Sequence, residues 1–96
     1  MVSRLVMGQE LHAAIAEATR NAPYVRRREL YEKYFRNADW EKFDYQLSLL
    51  ATEGVVIRRP DPEEPKERLL GLTEIARAGR VPWDAIERGR KRRGEI

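Results

Sequence analysis

Cysteine is absent from the 96 residues, which excludes a disulfide framework and any Cys-ligated zinc site. Histidine occurs once, as His12, beside Leu11 and with no metal-spaced partner, which suits a half-buried or solvated imidazole rather than a catalyst. The glycines Gly8, Gly54, Gly71, Gly79, Gly89 and Gly94 are scattered, so no phosphate-cradling loop is present. Acidic pairs such as Glu29/Glu32 have ordinary helix-surface spacing. These absences leave no catalytic residue, metal site or cofactor site to name, and a non-enzymatic protein is expected. No apolar run approaches the ~20 residues of a bilayer span, and "MVSRLVMG" is too short for a signal peptide. A cytoplasmic protein without a membrane partner is expected. Side-chain amides are confined to Gln9, Asn21, Asn37 and Gln46 while Arg and Glu abound, a bias that suits a thermophile or, equally, a GC-rich genome.

Ninety-six residues make one domain at most, and a domain of that size buries only about 60–65% of the surface its unfolded chain exposes. The chain is 42% hydrophobic and 36% charged, apolar enough to fold and too charged for a membrane. Its net charge is +3, but from Arg88 to Ile96 five cations (Arg88, Arg90, Lys91, Arg92, Arg93) face one acid, Glu95. That segment carries +4, and the body is left at −1. The positive excess therefore sits in a terminal tail, 88–96, appended to a domain of residues 1–87.

Helical spacing marks a first helix over residues 8–21, with Leu11, Ala14, Ile15 and Ala18 on one face. Met7 extends that stripe, so the helix is free to start nearer Ser3, placing Gly8 inside it at a cost of ~1 kcal/mol. Asn21-Ala22-Pro23 stops it. Tyr24-Val25 reads as a short extended piece. A second helix, about 27–35, buries Leu30, Tyr31, Tyr34 and Phe35, although Arg26 at its cap position is a poor cap. "RNAD" makes the turn, with Asn37 or Asp39 capping a third helix over about 39–53. There Trp40, Phe43, Leu47, Leu50 and Ala51 fall within an arc of roughly 100°. Gly54 ends this helix. "VVIRR" follows as a strand, "PDPEEPKE" cannot be one because of its prolines, and "RLLGLT" returns. The hairpin has to lie on the helices, through Val55, Ile57, Leu70 and Leu72, because a lone two-stranded hairpin is marginal in water. Thr73 caps a short helix carrying Ile75 and Ala78 and closed by Gly79. Pro82 opens a last helix with Trp83 and Ile86 on its apolar face. Beyond Gly89 the helix is expected to fray.

The residues "RRELYEKYFRNADWEKFDYQLSLLATEGVVIRR", followed by "LLGLTEIARAG", resemble the winged helix-turn-helix superfamily across about residues 8–80. The leucine pair, glycine, β-branched residues and arginine resemble that family's junction of recognition helix and wing. The resemblance implies a mainly α (α+β) fold: a three-helix core, a two-stranded β-hairpin wing and a C-terminal helix. It also implies a small regulator that binds double-stranded DNA, with the third helix in the major groove.

On that placement the outer face of the third helix offers Lys42 for guanine, Gln46 for adenine, and Tyr45 for phosphate or a thymine methyl. Against it stands the charge of residues 39–53, which hold four acids and one cation, a net −3. Leu49 also points outward, as is ordinary at a protein interface. Arg26, Arg27 and Arg28 begin the second helix, where phosphate is favoured; ion pairing with Glu29, Glu32 or an acid of the third helix is the other reading. Arg58 and Arg59 sit on the first hairpin strand. The hairpin tip, with Asp61, Glu63, Glu64 and Glu67 against Lys66 and Arg68, is a poor DNA probe. Five tail cations on phosphate would give a log–log salt slope of about −4 to −5. A homodimer would use the first helix, Leu49 and the Trp83/Ile86 face, unless Trp83 packs on its own domain. The alternative class is a protein-interaction module docking a partner through the Tyr45/Leu49 face.

Overall fold

A computed structural model of the chain describes residues 6–92, with side chains through residue 88. Among the described residues the order is α1 (Gly8–Ala18), β1 (Val25–Arg26), α2 (Arg27–Tyr34), α3 (Trp40–Thr52), β2 (Val56–Pro60), β3 (Arg68–Leu72), α4 (Glu74–Arg77) and α5 (Trp83–Arg92).

The first helix buries Leu11, Ala14 and Ile15 as their spacing requires. It stops at Ala18, three residues short of the sequence expectation. The Thr19 hydroxyl donates to the Ile15 carbonyl at 2.7 Å, and that local bond takes the place of a further turn. Met7 is the N-cap residue and is exposed rather than part of the buried stripe. Ser3 lies outside the described residues.

The turn between α2 and α3 is pinned at both ends. The Ala38 amide donates to the Phe35 carbonyl at 2.9 Å, and Tyr31 Oη donates to the Ala38 carbonyl at 2.6 Å. Asp39 then caps α3, accepting from the Glu41 amide. Phe43, Leu47 and Leu50 project into a core shared with Leu11, Ile15, Leu30, Phe35, Val55 and Leu70. Trp40 departs from its stripe. It is 36% exposed, because in the first turn it reaches the rim of the core, where Tyr31 meets it edge-on with centroids 5.0 Å apart.

The end of α3 sets the phase of the sheet. Gly54 has φ +79°, open to glycine at no steric cost. The amides of Gly54 and Val55 return to Ala51 and Leu50 at 3.2 and 2.9 Å, a Schellman closure with Val55 packed inside. Val55 is thus spent on the helix end, and the strand begins one residue later. Val56 pairs with Leu72 and Arg58 with Leu70, while Ile57 lies opposite Gly71. Facing partners share a side of the sheet, so Val56 and Arg58, not Ile57, point toward the helices. Ile57 is turned outward and is 36% exposed.

The sheet has three strands in the order β1-β3-β2, one more than the expected hairpin. The added strand is antiparallel, with Val25 opposite Leu70 and Arg26 opposite Leu69. Gly71 allows the chain before β1 to cross close by: a Cβ there would lie 3.0 Å from both the Pro23 carbonyl oxygen and the Tyr24 ring.

Thr73 caps α4 through the Ala76 amide at 3.3 Å, and its hydroxyl also donates to the Gly54 carbonyl at 2.8 Å. That second bond fixes the rotation of the short helix. Ala76 faces the core, while Ile75 is 52% exposed and Ala78 is exposed too. His12 Nε2 donates to the Ala76 carbonyl at 2.8 Å. Its ring meets Trp83 edge-on at 5.8 Å, tying α1 to α4 and α5. The α5 backbone remains helical through Arg92, past the point where fraying was expected.

Candidate nucleic-acid interface

Helix α2 begins without a side-chain cap of its own, since Arg26 occupies the cap position and carries no acceptor. Amides of a first turn need acceptors. One comes from 39 positions along the chain: Glu67 Oε2 accepts from the Arg28 amide at 3.2 Å. Glu67 Oε1 accepts from the Arg27 guanidinium at 3.2 Å and from the Arg68 amide at 2.9 Å. Glu67 is buried, as is Asp61.

These two acids sit at either end of the loop 61–67, which folds back on itself. The Asp61 amide donates to the Glu67 carbonyl at 3.2 Å, Glu64 to Asp61 at 3.2 Å, and Glu67 to Glu64 at 2.8 Å. Asp61 Oδ1 accepts from the Glu63 amide at 3.0 Å, and Oδ2 accepts from Arg26 Nε at 2.9 Å. Arg26 also donates to Glu63 at 2.8 Å. The charge and hydrogen bond of Asp61, above all, hold the Arg26 guanidinium even more firmly protonated than a free arginine; burial opposes this slightly, and Glu63 and Glu29 add to it.

Arg27 is enclosed more tightly. It donates to Asp44 Oδ1 on α3 at 2.8 Å, to Glu67, and to the Lys66 carbonyl at 3.2 Å. Its guanidinium lies 5.1 Å from the centre of the Trp40 ring. Arg58, pointing inward from β2, donates to the same Asp44 oxygen at 3.2 Å and to Ser48 Oγ at 3.0 Å. One carboxylate of α3 is thereby held between two guanidinium groups. Arg58, and the share of Arg27 not taken by Glu67, thus offset part of the net −3 of residues 39–53.

The three-arginine cluster at the start of α2 is therefore ion-paired, with the hairpin loop and α3 rather than with Glu29 or Glu32 on its own helix. Arg27 and Arg58, expected on phosphate, are turned into the fold, because Asp44, Ser48 and Glu67 need partners there. Arg28 remains largely exposed, with Glu64 at 3.8 Å and Glu67 at 3.9 Å, within Coulomb reach but too far for a hydrogen bond. Arg59 is exposed on the outer face of the sheet, where it donates to Tyr24 Oη at 2.9 Å and lies 5.3 Å from that ring.

On α3, Lys42 and Tyr45 are exposed and Gln46 is half-exposed, together on the side away from the core. Leu49 is half-buried rather than fully outward. Ile86 is buried against its own domain, and half-buried Trp83 closes over Gly8, where a Cβ would come within 3.1 Å of the indole. The apolar face expected for a second copy is thus largely used inside the chain. Arg90, Lys91 and Arg92 lie on the last turns of α5, but their side chains, and Arg93 altogether, are outside the described residues. Among the described residues no group of His, Asp or Glu is placed to hold a metal ion, and no helix is long and apolar enough to cross a membrane.

No protein-family model matches the sequence, and no curated protein matches it. Solved structures do. The PcaV transcriptional regulator from Streptomyces coelicolor, crystallised with its natural ligand, superposes over 100% of this chain and 67% of its own, with a TM-score of 0.57 and 20% identity. A probable transcriptional regulator from Pseudomonas aeruginosa covers 88% of this chain and 63% of its own, with a TM-score of 0.52 and 19% identity. The fold is a winged helix-turn-helix. In it α2 and α3 form the helix-turn-helix pair, and β2 and β3 form the wing, joined at its inner edge by β1. This chain spans about two-thirds of the length of each of those two structures.

Three features of this winged helix lay outside the sequence expectation: the cap that Glu67 places on α2, the inward turn of Arg58, and the pairing of the short extended piece, as β1, with β3. The first left a trace, since a helix opening on arginines with no Ser, Thr, Asp or Asn before it needs an acceptor from elsewhere. The second follows once the strand is known to begin at Val56. The third could not be read, because an extended piece of two residues does not announce which strand it pairs with.

Proposed function

We propose that this winged helix binds double-stranded DNA as a small transcriptional regulator. Helix α3 lies in the major groove, with Lys42, Tyr45 and Gln46 toward the bases. Support comes first from the outer face of α3, where Lys42 and Tyr45 are exposed and Gln46 half-exposed on one side of the helix, while Asp44 is offset by Arg27 and Arg58 from behind. The two similar structures are transcriptional regulators by their descriptions, which favours the same class. Arg28 and Arg59, both exposed, are the body's phosphate contacts in this reading, joined by the cations of the tail. Arg27 and Arg58 act from within, by holding α3 in place. A homodimer doubles these contacts, with exposed Met7 and the uncovered part of Trp83 as its apolar seed.

The test is a titration of mixed-sequence duplex DNA at low and moderate salt. Binding is expected to weaken steeply as salt rises, because released counterions drive it. Absence of binding at low salt, or indifference to salt, removes the proposal. Lys42→Ala and Gln46→Ala are each expected to weaken binding to a preferred site by ~1–3 kcal/mol and to relax its sequence choice.

Tyr45, 48% exposed, and half-buried Leu49 favour one other occupant of this face, a protein partner. Under that reading Leu49→Glu abolishes a complex or dimer while Lys42→Ala leaves it intact.

A further inference from the structure

The winged-helix face that would meet phosphate already holds carboxylates of its own. Two layers of ion pairs join the wing loop to the start of α2, and they differ in burial. In the inner layer, Asp61 and Glu67 are almost wholly enclosed, at 4% and 3% side-chain exposure against Arg26 and Arg27. Both acids also accept backbone amides, so they belong to the framework. In the outer layer, Glu63 reaches Arg26 at 2.8 Å with 79% of its side chain exposed, and Glu64 approaches Arg28 at 3.8 Å with 48% exposed. Neither outer carboxylate has a structural duty comparable to that of Asp61 or Glu67. The loop backbone is fixed by its own amide bonds, from Asp61 to Glu67 and from Glu64 to Asp61.

We propose that Glu63 and Glu64 are built-in phosphate mimics: Glu63 holds Arg26 through a hydrogen bond that a phosphodiester must displace, and Glu64 weakens the pull of exposed Arg28 on phosphate by its charge alone. The proposal deepens the DNA-binding reading of α3 and rests on it. Its chemistry is plain. A carboxylate and a phosphate oxygen compete for the same guanidinium hydrogens. Exposed ion pairs are held weakly and are screened by salt. A single phosphate gains little over such a pair, whereas a duplex presenting several phosphates in register gains on each contact. The wing loop therefore suppresses binding to short or isolated anions and raises the threshold for nonspecific DNA.

The experiment compares three full-length proteins: wild type, the double variant Glu63→Gln/Glu64→Gln, and a control of equal charge, Glu17→Gln/Glu74→Gln, altered on α1 and α4. Each is titrated with a mixed-sequence duplex across a salt series. Each is also titrated with inorganic tripolyphosphate while the guanidinium NMR signals of Arg26 and Arg28 are followed. The wing variant is expected to bind duplex roughly threefold more tightly at about 50 mM salt, with an advantage that fades toward about 200 mM, since one regained phosphate contact, at Arg26, steepens the log–log slope by about 0.9. Tripolyphosphate is expected to shift the Arg26 signal in the wing variant and to leave it nearly still in wild type and control, while the Arg28 signal shifts in all three and most in the wing variant. Equal gains in the wing variant and the control would reduce the effect to net charge and overturn the mimicry. So would an unchanged Arg26 signal in the wing variant. An Arg26 signal shifted in the wing variant, without duplex binding by any of the three proteins, would uphold the mimicry and remove the DNA-binding reading instead.

Discussion

Phe43→Ala is expected to lower the stability of the fold by about 3–5 kcal/mol, the range for truncating a buried aromatic. The side chain is fully enclosed and sits at the meeting point of three rings. Tyr31 lies 5.1 Å away between centroids, Phe35 5.2 Å and Trp40 5.5 Å. Its removal opens a cavity between α2 and α3, and the ring neighbours cannot collapse into it without unseating the turn that Tyr31 pins at Ala38. A domain of this size has only about 5–15 kcal/mol in total, so the variant stands near the edge of folding. At roughly 4–8 °C per kcal/mol for a domain of about 60–100 residues, its thermal midpoint should drop by some 12–40 °C in a calorimetric or circular-dichroism melt. Phe43→Leu, which refills most of the space, should lose far less. A drop of only a few degrees for the alanine variant would mean that this cluster is not the centre of the core.

Arg27→Ala is the second large effect, and it comes from charge rather than volume. The guanidinium is 14% exposed and bridges two acids, Asp44 and buried Glu67. Its loss leaves Glu67 enclosed with only the more distant Arg28 guanidinium, at 3.9 Å, as a countercharge, and breaking a buried pair from one side costs about 3–5 kcal/mol. The low end is expected here, because Glu67 keeps the amides of Arg28 and Arg68 and Asp44 keeps Arg58. Denaturant unfolding of Arg27→Ala, Glu67→Gln and the double variant reads the coupling. The double variant should be markedly less destabilised than the sum of its parts. Strict additivity would show that the two side chains act independently. Arg27→Lys should not restore stability, since an ammonium has no planar fork with which to span both carboxylates and stack on Trp40.

The parts of this fold that follow local rules were legible from residue order. The stripe of Phe43, Leu47 and Leu50 repeats over several turns, and period alone aims it inward. Asp39, Gly54 and Thr73 announce where helices begin and end through their own backbone chemistry. What stayed hidden was decided by contacts between distant residues or by one-residue phase. Ile57 and Ile75 look like core residues by composition. In elements of five and four residues a single step exchanges inside for outside, and the step was taken by the closure at Val55 and by the bond from Thr73 to Gly54. Arg27 and Arg58 turn inward for a different reason. Their acidic partners lie between 14 and 40 positions away, so a local count of charges finds a basic cluster and an acidic loop where the fold joins the two. The polar outer face of α3 needed only its periodicity to be placed; its electrostatic setting needed the tertiary structure.

The threonine hydroxyl that starts α4 also grips the last peptide of the α3 closure. A roll of α3 about its long axis therefore has to break that bond or carry the root of α4 with it. The short helix is in this sense a peg at the end of α3, and Thr73→Val, which keeps the shape and removes the hydroxyl, draws it out.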